Sequence, residues 1–453
     1  MTDFDAHISA LALGRLIERG DVTPRDATEA YLTRANEIDA DRRIYVRLTE
    51  VRARAEADAA TARAKRGLRL HPLDGVPLSW KDLFDSAGTV TAAGSKALSS
   101  RLPTHDAAVL ARATQAGCIC LGKTAMTEFA FSGLGINPTC GTPANPFDDK
   151  AERAPGGSSA GAAVALARGL CAGSFGTDTG GSVRIPAAWN GLVGLKTTAG
   201  RVSLKGTVPL SPTFDTIGPI ARNVADANML FSMLTGEPAA DLADTSLNHV
   251  TLALPGGASW SGLDAGIAEA VDTALRKLLH AGVRLVDKPV AALDGIDALA
   301  WGGGASRLVA EAYAYWANTL AAHKHDIYPP VFERVMAGAA ITAHDLLRAD
   351  RERAKLTRAY LDATAGFDAV ILPTVAISPP LIAPIAGGGP DYFKANRMAL
   401  RNTTMGNQLG LCAITLPVGF DALGLPVGLM LQGSPNTEGK LLRIAAAIEK
   451  ILS

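Results

Sequence analysis

Two clusters of glycine and serine contain the residues whose types and spacing could do chemistry. They are GGSS at 156–159 and GGS at 180–182, and Ser182 follows Ser158 by 24 positions. Glycine accepts backbone angles that a Cβ atom forbids, so several N–H groups beside a serine can turn toward one point. Such N–H groups stabilise a developing oxyanion, and we predict an oxyanion hole in the second cluster. Its backbone groups belong to Thr179, Gly180, Gly181 and Ser182.

The stretch between the clusters predicts the elements that position them. Residues 159–168 are small and apolar, which predicts a short helix with Ser159 as its N-cap and Gly169 after its last turn. Residues 170–175 predict a buried strand. The loop 177–182 then lies at the exit of that strand, where catalytic groups are commonly found.

Charged residues near these elements predict a supporting pair and a possible base. Asp178 and Arg184 flank the second cluster closely enough to form an ion pair, and such pairs are more often structural than catalytic. We expect them to hold the turn. Residues 72–80 predict a strand, which places Lys81 at a strand end, where its amine could reach into the protein.

The motifs around these residues resemble one known family. GGSSAG at 156–161, GTDTGGSVRIPAAWNGLVGLK at 176–196 and the lysine in LDGVPLSWKD at 73–82 are similar to the amidase signature family. The similarity extends from about Leu11 to GLPVGLMLQG at 424–433, which is nearly the whole chain. The resemblance implies an α/β fold in which a large mixed β-sheet core is covered by helices on both faces.

The resemblance also implies a mechanism of amide hydrolysis with a lysine and two serines. Ser182 would be the nucleophile, and Ser158 would relay protons between it and Lys81, which acts as the base if burial keeps its amine neutral. In the family, the peptide bond before the relay serine is cis, which here is Gly157–Ser158. No metal or organic cofactor is implied.

Two further regions are expected to shape the substrate pocket. The loop 129–146 is rich in Gly and Pro and too long to lack a role in a compact domain. By resemblance, the backbone around Phe131 and Ser132 lies against the substrate. The aromatic-rich helical region 300–358 corresponds to a part of the family that varies between members and helps to form the acyl pocket.

The sequence also matches two other motifs letter for letter, but the residues around each match do not form the structure that the motif requires. Residues 117–124 match the nucleotide-binding pattern GxxxxGK[ST], yet 118–121 predicts a strand rather than a Gly-rich loop, so we interpret this segment as core. Residues 157–161 match the nucleophile elbow GxSxG with Ser159 as nucleophile. The polar residues 149–153 precede it where the elbow requires a strand, so we reject this interpretation as well.

Composition indicates which kinds of partner and which cellular compartment to expect. The 44 basic and 44 acidic residues cancel, so we expect a small-molecule amide substrate and neither nucleic acid nor a membrane surface. Five cysteines, an odd number, and an N-terminus without a secretory pattern predict reduced thiols and a cytoplasmic protein. His323 and His325 are two positions apart on a predicted helix and so face different sides, which argues against a metal site.

The chain is predicted to form a single domain over 1–453. Its parts, which we name by position, are an N-terminal helical wrap (about 1–66), a signature core (about 72–225), a helical lobe (about 255–365) and C-terminal strands with a helix (about 366–453).

Three functions are considered from the sequence. A free-standing amidase, a hydrolase of carbon–nitrogen bonds in linear amides, leads. The alternative is the glutaminase subunit of a tRNA-dependent amidotransferase, but that subunit usually has glutamine at the position of Ile185 and a Tyr-Gly step where this chain has SLKG at 203–206. A non-catalytic binding protein is disfavoured because Lys81, Ser158 and Ser182 are all present. Whether two copies form a homodimer is left open.

Overall fold

A mixed sheet of eleven strands runs through the computed structural model, which describes residues 5–243 and 245–452. The strands are, in chain order, β1 (Tyr45–Leu48), β2 (Pro77–Lys81), β3 (Ile119–Thr124), β4 (Gly173–Thr177), β5 (Val193–Lys196), β6 (Ile217–Ala221), β7 (Thr251–Leu254), β8 (Arg284–Asp287), β9 (Ala369–Pro373), β10 (Cys412–Phe420) and β11 (Pro426–Gly433). Across the sheet they follow the order β1-β3-β2-β4-β6-β5-β10-β11-β9-β7-β8.

The sheet contains two groups of parallel strands, and its other strand pairs are antiparallel. Strand β2 pairs in parallel with both β3 and β4, and β7 pairs in parallel with β8 and β9, whereas the remaining neighbours are antiparallel. Every residue of β2, β3, β4, β5 and β6 is buried. A strand that is buried on both faces needs cover on both sides of the sheet. The predicted α/β class with a large mixed sheet under helices is confirmed.

Fourteen α-helices lie among the described residues. They are α1 (Ala10–Arg19), α2 (Pro24–Ile38), α3 (Glu50–Lys65), α4 (Ala108–Gln115), α5 (Ala160–Ala167), α6 (Arg184–Trp189), α7 (Val224–Thr235), α8 (Ala265–His280), α9 (Ala291–Trp301), α10 (Arg307–Ala322), α11 (Pro329–Met336), α12 (Ala343–Thr364), α13 (Pro390–Gln408) and α14 (Glu438–Leu452). Local chemistry explains the start of α2: Thr23 caps the helix by accepting from the N–H of Asp26, and Pro24 occupies its first turn. No helix in the described part of the chain is long and apolar enough to cross a bilayer.

The elements around the first serine cluster differ in detail from the prediction. Helix α5 is formed as expected, and Ser159 occupies its N-cap position, but the serine side chain does not cap the helix. Its Oγ instead donates to the carbonyl oxygen of Thr177 at 3.4 Å. The strand predicted at 170–175 begins only at Gly173, which is where pairing with Leu78 of β2 starts. Long-range strand pairing, which local sequence does not encode, therefore sets this boundary.

The nucleotide-binding pattern at 117–124 lies in the core, as its context predicted. Its lysine belongs to β3 and is fully buried. Lys123 Nζ donates to the carbonyl oxygen of Phe84 at 2.5 Å and to Thr91 Oγ1 at 3.0 Å. The side chain is therefore occupied by protein groups and is not available to a phosphate.

The state of the cysteines and the division of the chain were also predicted. All five cysteines are free, as the sequence predicted, and four of them are buried: Cys118, Cys120, Cys171 and Cys412. The division into wrap, core, lobe and C-terminal part stays a prediction. The wrap as predicted begins in residues 1–4, which lie outside the described residues.

Candidate active site

Lys81 ends strand β2 in an entirely buried position. Its Nζ lies 2.7 Å from Ser158 Oγ and 2.9 Å from Thr177 Oγ1. Burial lowers the pKa of this amine from its ordinary value of 10.5 to about 7, although the charges of Asp215 and Asp178 partly oppose the shift. The lysine can therefore change its protonation state near neutral pH.

Ser158 is held beside the lysine by a closely packed glycine segment. The peptide bond between Gly157 and Ser158 is cis. The Gly157 N–H donates to the carbonyl oxygen of Gly133 at 2.8 Å, and a Cβ atom on Gly157 would lie 2.5 Å from the backbone nitrogen of Gly135. Only glycine fits this approach. The N–H of Ser159 donates to the carbonyl oxygen of Ser182 at 3.2 Å, so the two serine clusters run beside each other.

The second cluster forms a loop between β4 and α6 that α13 holds in place. The carbonyl oxygen of Gly180 accepts from Thr403 Oγ1 at 2.7 Å and from Thr404 Oγ1 at 3.1 Å. Because the peptide unit is planar, the N–H of Gly181 points away from these threonines. Gly181 has φ +140°, and a Cβ atom there would lie 2.1 Å from Thr403 Oγ1. Side chains more than 200 positions downstream thus orient an N–H group of the predicted oxyanion hole.

Asp178 and Arg184 form the ion pair that the sequence suggested. The Nη2 and Nε atoms of Arg184 each lie 2.9 Å from a carboxylate oxygen of Asp178, and Asn407 donates to the same carboxylate at 2.8 Å. Burial raises the pKa of Asp178, but the charge and hydrogen bonds of Arg184 outweigh it and bring the value to about 2. The carboxylate therefore stays ionised and spans the loop from its first residue to the start of α6.

Asp215, two residues before β6, belongs to the site although sequence reasoning missed it. Its carboxylate accepts from Thr179 Oγ1 at 2.6 Å and from the N–H groups of Leu210 and Ser211 at 3.0 and 3.1 Å. Burial raises its pKa. A carboxylate beside a fully apolar strand was the available signal. Nothing in the sequence marked Thr403 and Thr404 as site residues, because threonines are common in helices.

The nucleophile candidate faces a cavity of about 180 Å³. Of the predicted residues, Ser182, Thr179, Gly180, Phe131 and Ser132 line it. Lys81, Ser158 and Gly181 are not among the lining residues. The remaining walls come mainly from the helical lobe and α13, and include Trp301, Leu308, Val309, Arg334, Leu400 and Gln408. The cavity therefore lies between the second serine cluster and the lobe.

Comparison with known proteins gives consistent results over nearly the whole chain. A family model described as Amidase matches residues 26–442. The chain is 39% identical over 410 residues to 2-amino-5-chloromuconic acid deaminase of Comamonas testosteroni, covering 88% of this chain and 87% of that protein. It is 33% identical over 476 residues to a glutamyl-tRNA(Gln) amidotransferase subunit of Anaeromyxobacter sp. (strain K), covering 95% and 93%. A solved amidase structure superposes with a TM-score of 0.89 at 34% identity, covering 98% of this chain and 100% of the other.

Proposed function

Because the chain belongs to the amidase family and is therefore a hydrolase of carbon–nitrogen bonds, we propose that it cleaves small carboxylic amides through an ester on Ser182. The observation that carries this proposal is the buried Lys81 amine, with a pKa of about 7, 2.7 Å from Ser158 and beside the loop of Ser182. A neutral amine in this place can accept a proton, which an exposed lysine cannot do near neutral pH.

The first half of the reaction forms the ester. Ser182 Oγ attacks the amide carbon while its proton passes to Ser158 and the proton of Ser158 passes to Lys81. The new oxyanion accepts hydrogen bonds from backbone N–H groups of the 179–182 loop. When the carbon–nitrogen bond breaks, the relay runs backwards and protonates the departing amine.

The second half consumes water. A water molecule attacks the ester carbon, its proton enters the same relay, and the carbon–oxygen bond to Ser182 breaks. Ser182 recovers its proton, and the carboxylic acid leaves. In this scheme Asp178, Arg184 and Gly157 support the geometry, and Phe131 and Ser132 contact the substrate. Every step uses side chains and backbone of this chain with water, and none needs a cofactor.

An amidotransferase subunit is the second candidate, supported by the relatives of that name at 33% identity. Ile185 and the residues 203–206 depart from what that subunit usually has. Ile185 is fully buried in α6, and its Cδ1 atom lies near Gly133 and Gly181, so the departure falls directly behind the loop. We therefore place the free-standing hydrolase first.

The test is release of ammonia by the purified chain alone from a panel of primary amides, with 2-amino-5-chloromuconic acid added because the name of one relative gives it as substrate. We expect turnover without added subunits, and covalent labelling of Ser182 by a serine-reactive phosphonate. Ser182→Ala should abolish both, whereas the neighbouring Ser159→Ala serves as the matched control and should retain labelling. Turnover only with added subunits and charged tRNA would favour the amidotransferase, and labelling at Ser159 would refute the assignment of Ser182.

A further inference from the structure

Asn396, a buried residue of α13, holds a segment of the site by a single oxygen atom. Its Oδ1 accepts from the hydroxyl of Ser132 at 2.9 Å and from the N–H of Gly133 at 2.8 Å. The Ser132 hydroxyl oxygen accepts in turn from the N–H of Leu134 at 3.2 Å. Three consecutive residues of the loop 129–146 are therefore fixed from a position more than 260 residues downstream.

This segment touches both the substrate cavity and the proposed proton relay. Ser132 lines the cavity that Ser182 faces. The carbonyl oxygen of Gly133 accepts from the N–H of Gly157 at 2.8 Å, and Gly157 is the residue before Ser158. Gly133 thus uses both of its backbone groups, one toward α13 and one toward the first serine cluster. A shift of this glycine would displace the backbone that carries the relay hydroxyl.

The segment is closely packed, and its hydrogen-bond donors are buried. A Cβ atom on Gly133 would lie 2.9 Å from Leu400 Cγ and 3.1 Å from Ile185 Cδ1, so the backbone packs directly against α13 and α6. Both residues that donate to Asn396 are buried. A buried donor without an acceptor is costly, so loss of the Oδ1 atom should make the segment move toward another partner.

Helix α13 also holds the nucleophile loop, two turns further along the same face. Thr403 follows Asn396 by seven positions, which is close to two turns of an α-helix and about 10.5 Å along its axis. The Thr403 hydroxyl donates to the carbonyl oxygen of Gly180 at 2.7 Å. One helix therefore fixes the distance between the Ser132–Gly133 step and the loop that carries Ser182.

We propose, building on the hydrolysis at Ser182, that Asn396 is a positioning residue for this reaction. Its Oδ1 atom fixes the Ser132–Gly133 step relative to the nucleophile loop, and so sets both the substrate contact and the support behind the relay serine. Asn396 is not among the described residues that line the cavity, so it acts through Ser132 and Gly133 rather than by contact with the substrate.

Replacement of the acceptor oxygen by an apolar group of similar size tests the proposal. Asn396→Leu should lower kcat/KM for a hydrolysed primary amide on the order of 100-fold, through a lower kcat and a higher KM together, because a misplacement of about 1 Å has this effect. Asn396→Asp keeps an acceptor oxygen at the same place and should recover at least about tenfold of that loss.

Asn228 on α7 provides the matched control. It is buried like Asn396, and its Oδ1 accepts from the N–H of Ala240 at 3.0 Å, but neither residue lines the cavity. Asn228→Leu should therefore lower the melting temperature about as much as Asn396→Leu, while kcat/KM stays within about twofold. Equal kinetic effects of the two replacements would show that Asn396 contributes only stability, and would overturn the proposal.

Coupling with Ser132 identifies the path of the effect. In the wild type, Ser132→Ala should raise KM about fivefold, because it removes one of the two bonds to Asn396. In the Asn396→Leu background the same replacement should change KM less than about twofold, because that bond is already lost. Fold losses that multiply in the double variant would mean that the two side chains act independently, which overturns the proposal.

Covalent labelling of Ser182 by a serine-reactive phosphonate separates this proposal from the proposed function, because labelling needs the relay and the nucleophile but no amide. If no amide is hydrolysed, but labelling slows about tenfold in Asn396→Leu and recovers in Asn396→Asp, the hydrolase assignment fails and the positioning role stands. If amides are hydrolysed and neither replacement changes turnover, the positioning role fails and the hydrolase stands. A wild-type protein inert in both reactions overturns both.

If Asn396→Leu does not fold, Asn396→Gln decides. This replacement keeps the amide group but moves the acceptor oxygen by one carbon atom, so kcat/KM of the folded variant should fall about tenfold. A wild-type value of kcat/KM in Asn396→Gln would overturn the proposal.

Discussion

The signature core and the helical lobe contribute to the candidate active site in different ways. In the core, Lys81 and Ser158 are fully buried and Ser182 is 4% exposed, and strand ends and tight loops fix their positions. In the lobe, Trp301 and Arg334 are only partly buried, and Trp301 also borders an open cleft. The core part of the site is thus closed to solvent and densely hydrogen-bonded, whereas the lobe part is more exposed.

This difference suggests a division of labour. Proton transfer and oxyanion stabilisation require groups held within fractions of an ångström, which buried strand ends and loops provide. Selection among substrates requires only a shaped wall and a few polar groups, which helices at a cleft can supply and exchange without disturbing the sheet. Core substitutions should therefore change kcat or stability, and lobe substitutions should change KM.

The largest effect is expected at Lys81. Lys81→Ala should lower kcat/KM on the order of 10⁴-fold, and Lys81→Arg should not rescue it, because a guanidinium group does not release its proton in this range. In the wild type, kcat/KM should rise with pH through about 7, where the buried amine loses its proton. The measurement is a pH profile of ammonia release for the three proteins.

Two results at Lys81 would contradict the comparison: substantial activity of Lys81→Arg, or an acidic limb near pH 7 that persists in Lys81→Ala. A stability measurement gives an independent control. The unfolded chain holds a proton on Lys81 up to about pH 10.5 and the folded chain only to about 7, so stability should rise with pH between these values. Lys81→Met should lose that contribution.

A somewhat smaller loss is expected at the relay serine. Ser158→Ala should reduce kcat on the order of 10³-fold with little change in KM, because the proton path is interrupted while the oxyanion N–H groups remain. Ser159→Ala is the matched control, since Ser159 is equally buried but its hydroxyl donates to the carbonyl oxygen of Thr177 at 3.4 Å and not to a residue of the relay. A near-normal kcat in Ser158→Ala would remove the relay from the mechanism.

Stability should distinguish a core ion pair from a surface one. Asp178→Asn should cost about 3–5 kcal/mol of unfolding free energy, because it leaves the buried Arg184 without its counter-charge. Asp272→Asn, at an exposed pair with Arg276, should cost less than about 1 kcal/mol. Urea unfolding measures both. Equal costs for the two variants would show that burial does not set the strength of the core pair.

The same ion pair predicts a response to acid. The folded pKa of Asp178 is about 2 and its ordinary value is 3.8, so its stabilising contribution is complete above about pH 4 and is lost as the pH falls toward 2. Asp178→Asn should lack this contribution.

The smallest effect is expected in the lobe. Trp301→Phe keeps an aromatic wall but makes it smaller, so KM for a hydrolysed primary amide should rise about threefold, while kcat stays within about twofold. Steady-state kinetics on that amide measure both constants. A large fall in kcat with unchanged KM would mean that the lobe takes part in the chemical step, and the division between the two regions would not hold.

The sequence by itself determined the elements whose signals are local. The two Gly and Ser clusters, a strand end at Lys81 and a C-terminal helix, which is α14 in the structure, could all be read from short windows. Residue types, spacing and glycine content are properties of neighbouring positions, and they persist whatever the rest of the chain does. The α/β class was implied by the family resemblance that these motifs carry.

Only the tertiary structure decided which distant groups complete the site. Thr403 and Thr404 orient the Gly180 peptide, Asp215 holds Thr179, and Arg334 reaches the backbone at Phe131 from 203 positions away. The late start of β4 has the same origin, because its register with β2 follows from pairing across the sheet. These contacts depend on how helices and strands pack after the chain has folded, so no local pattern marks them in advance.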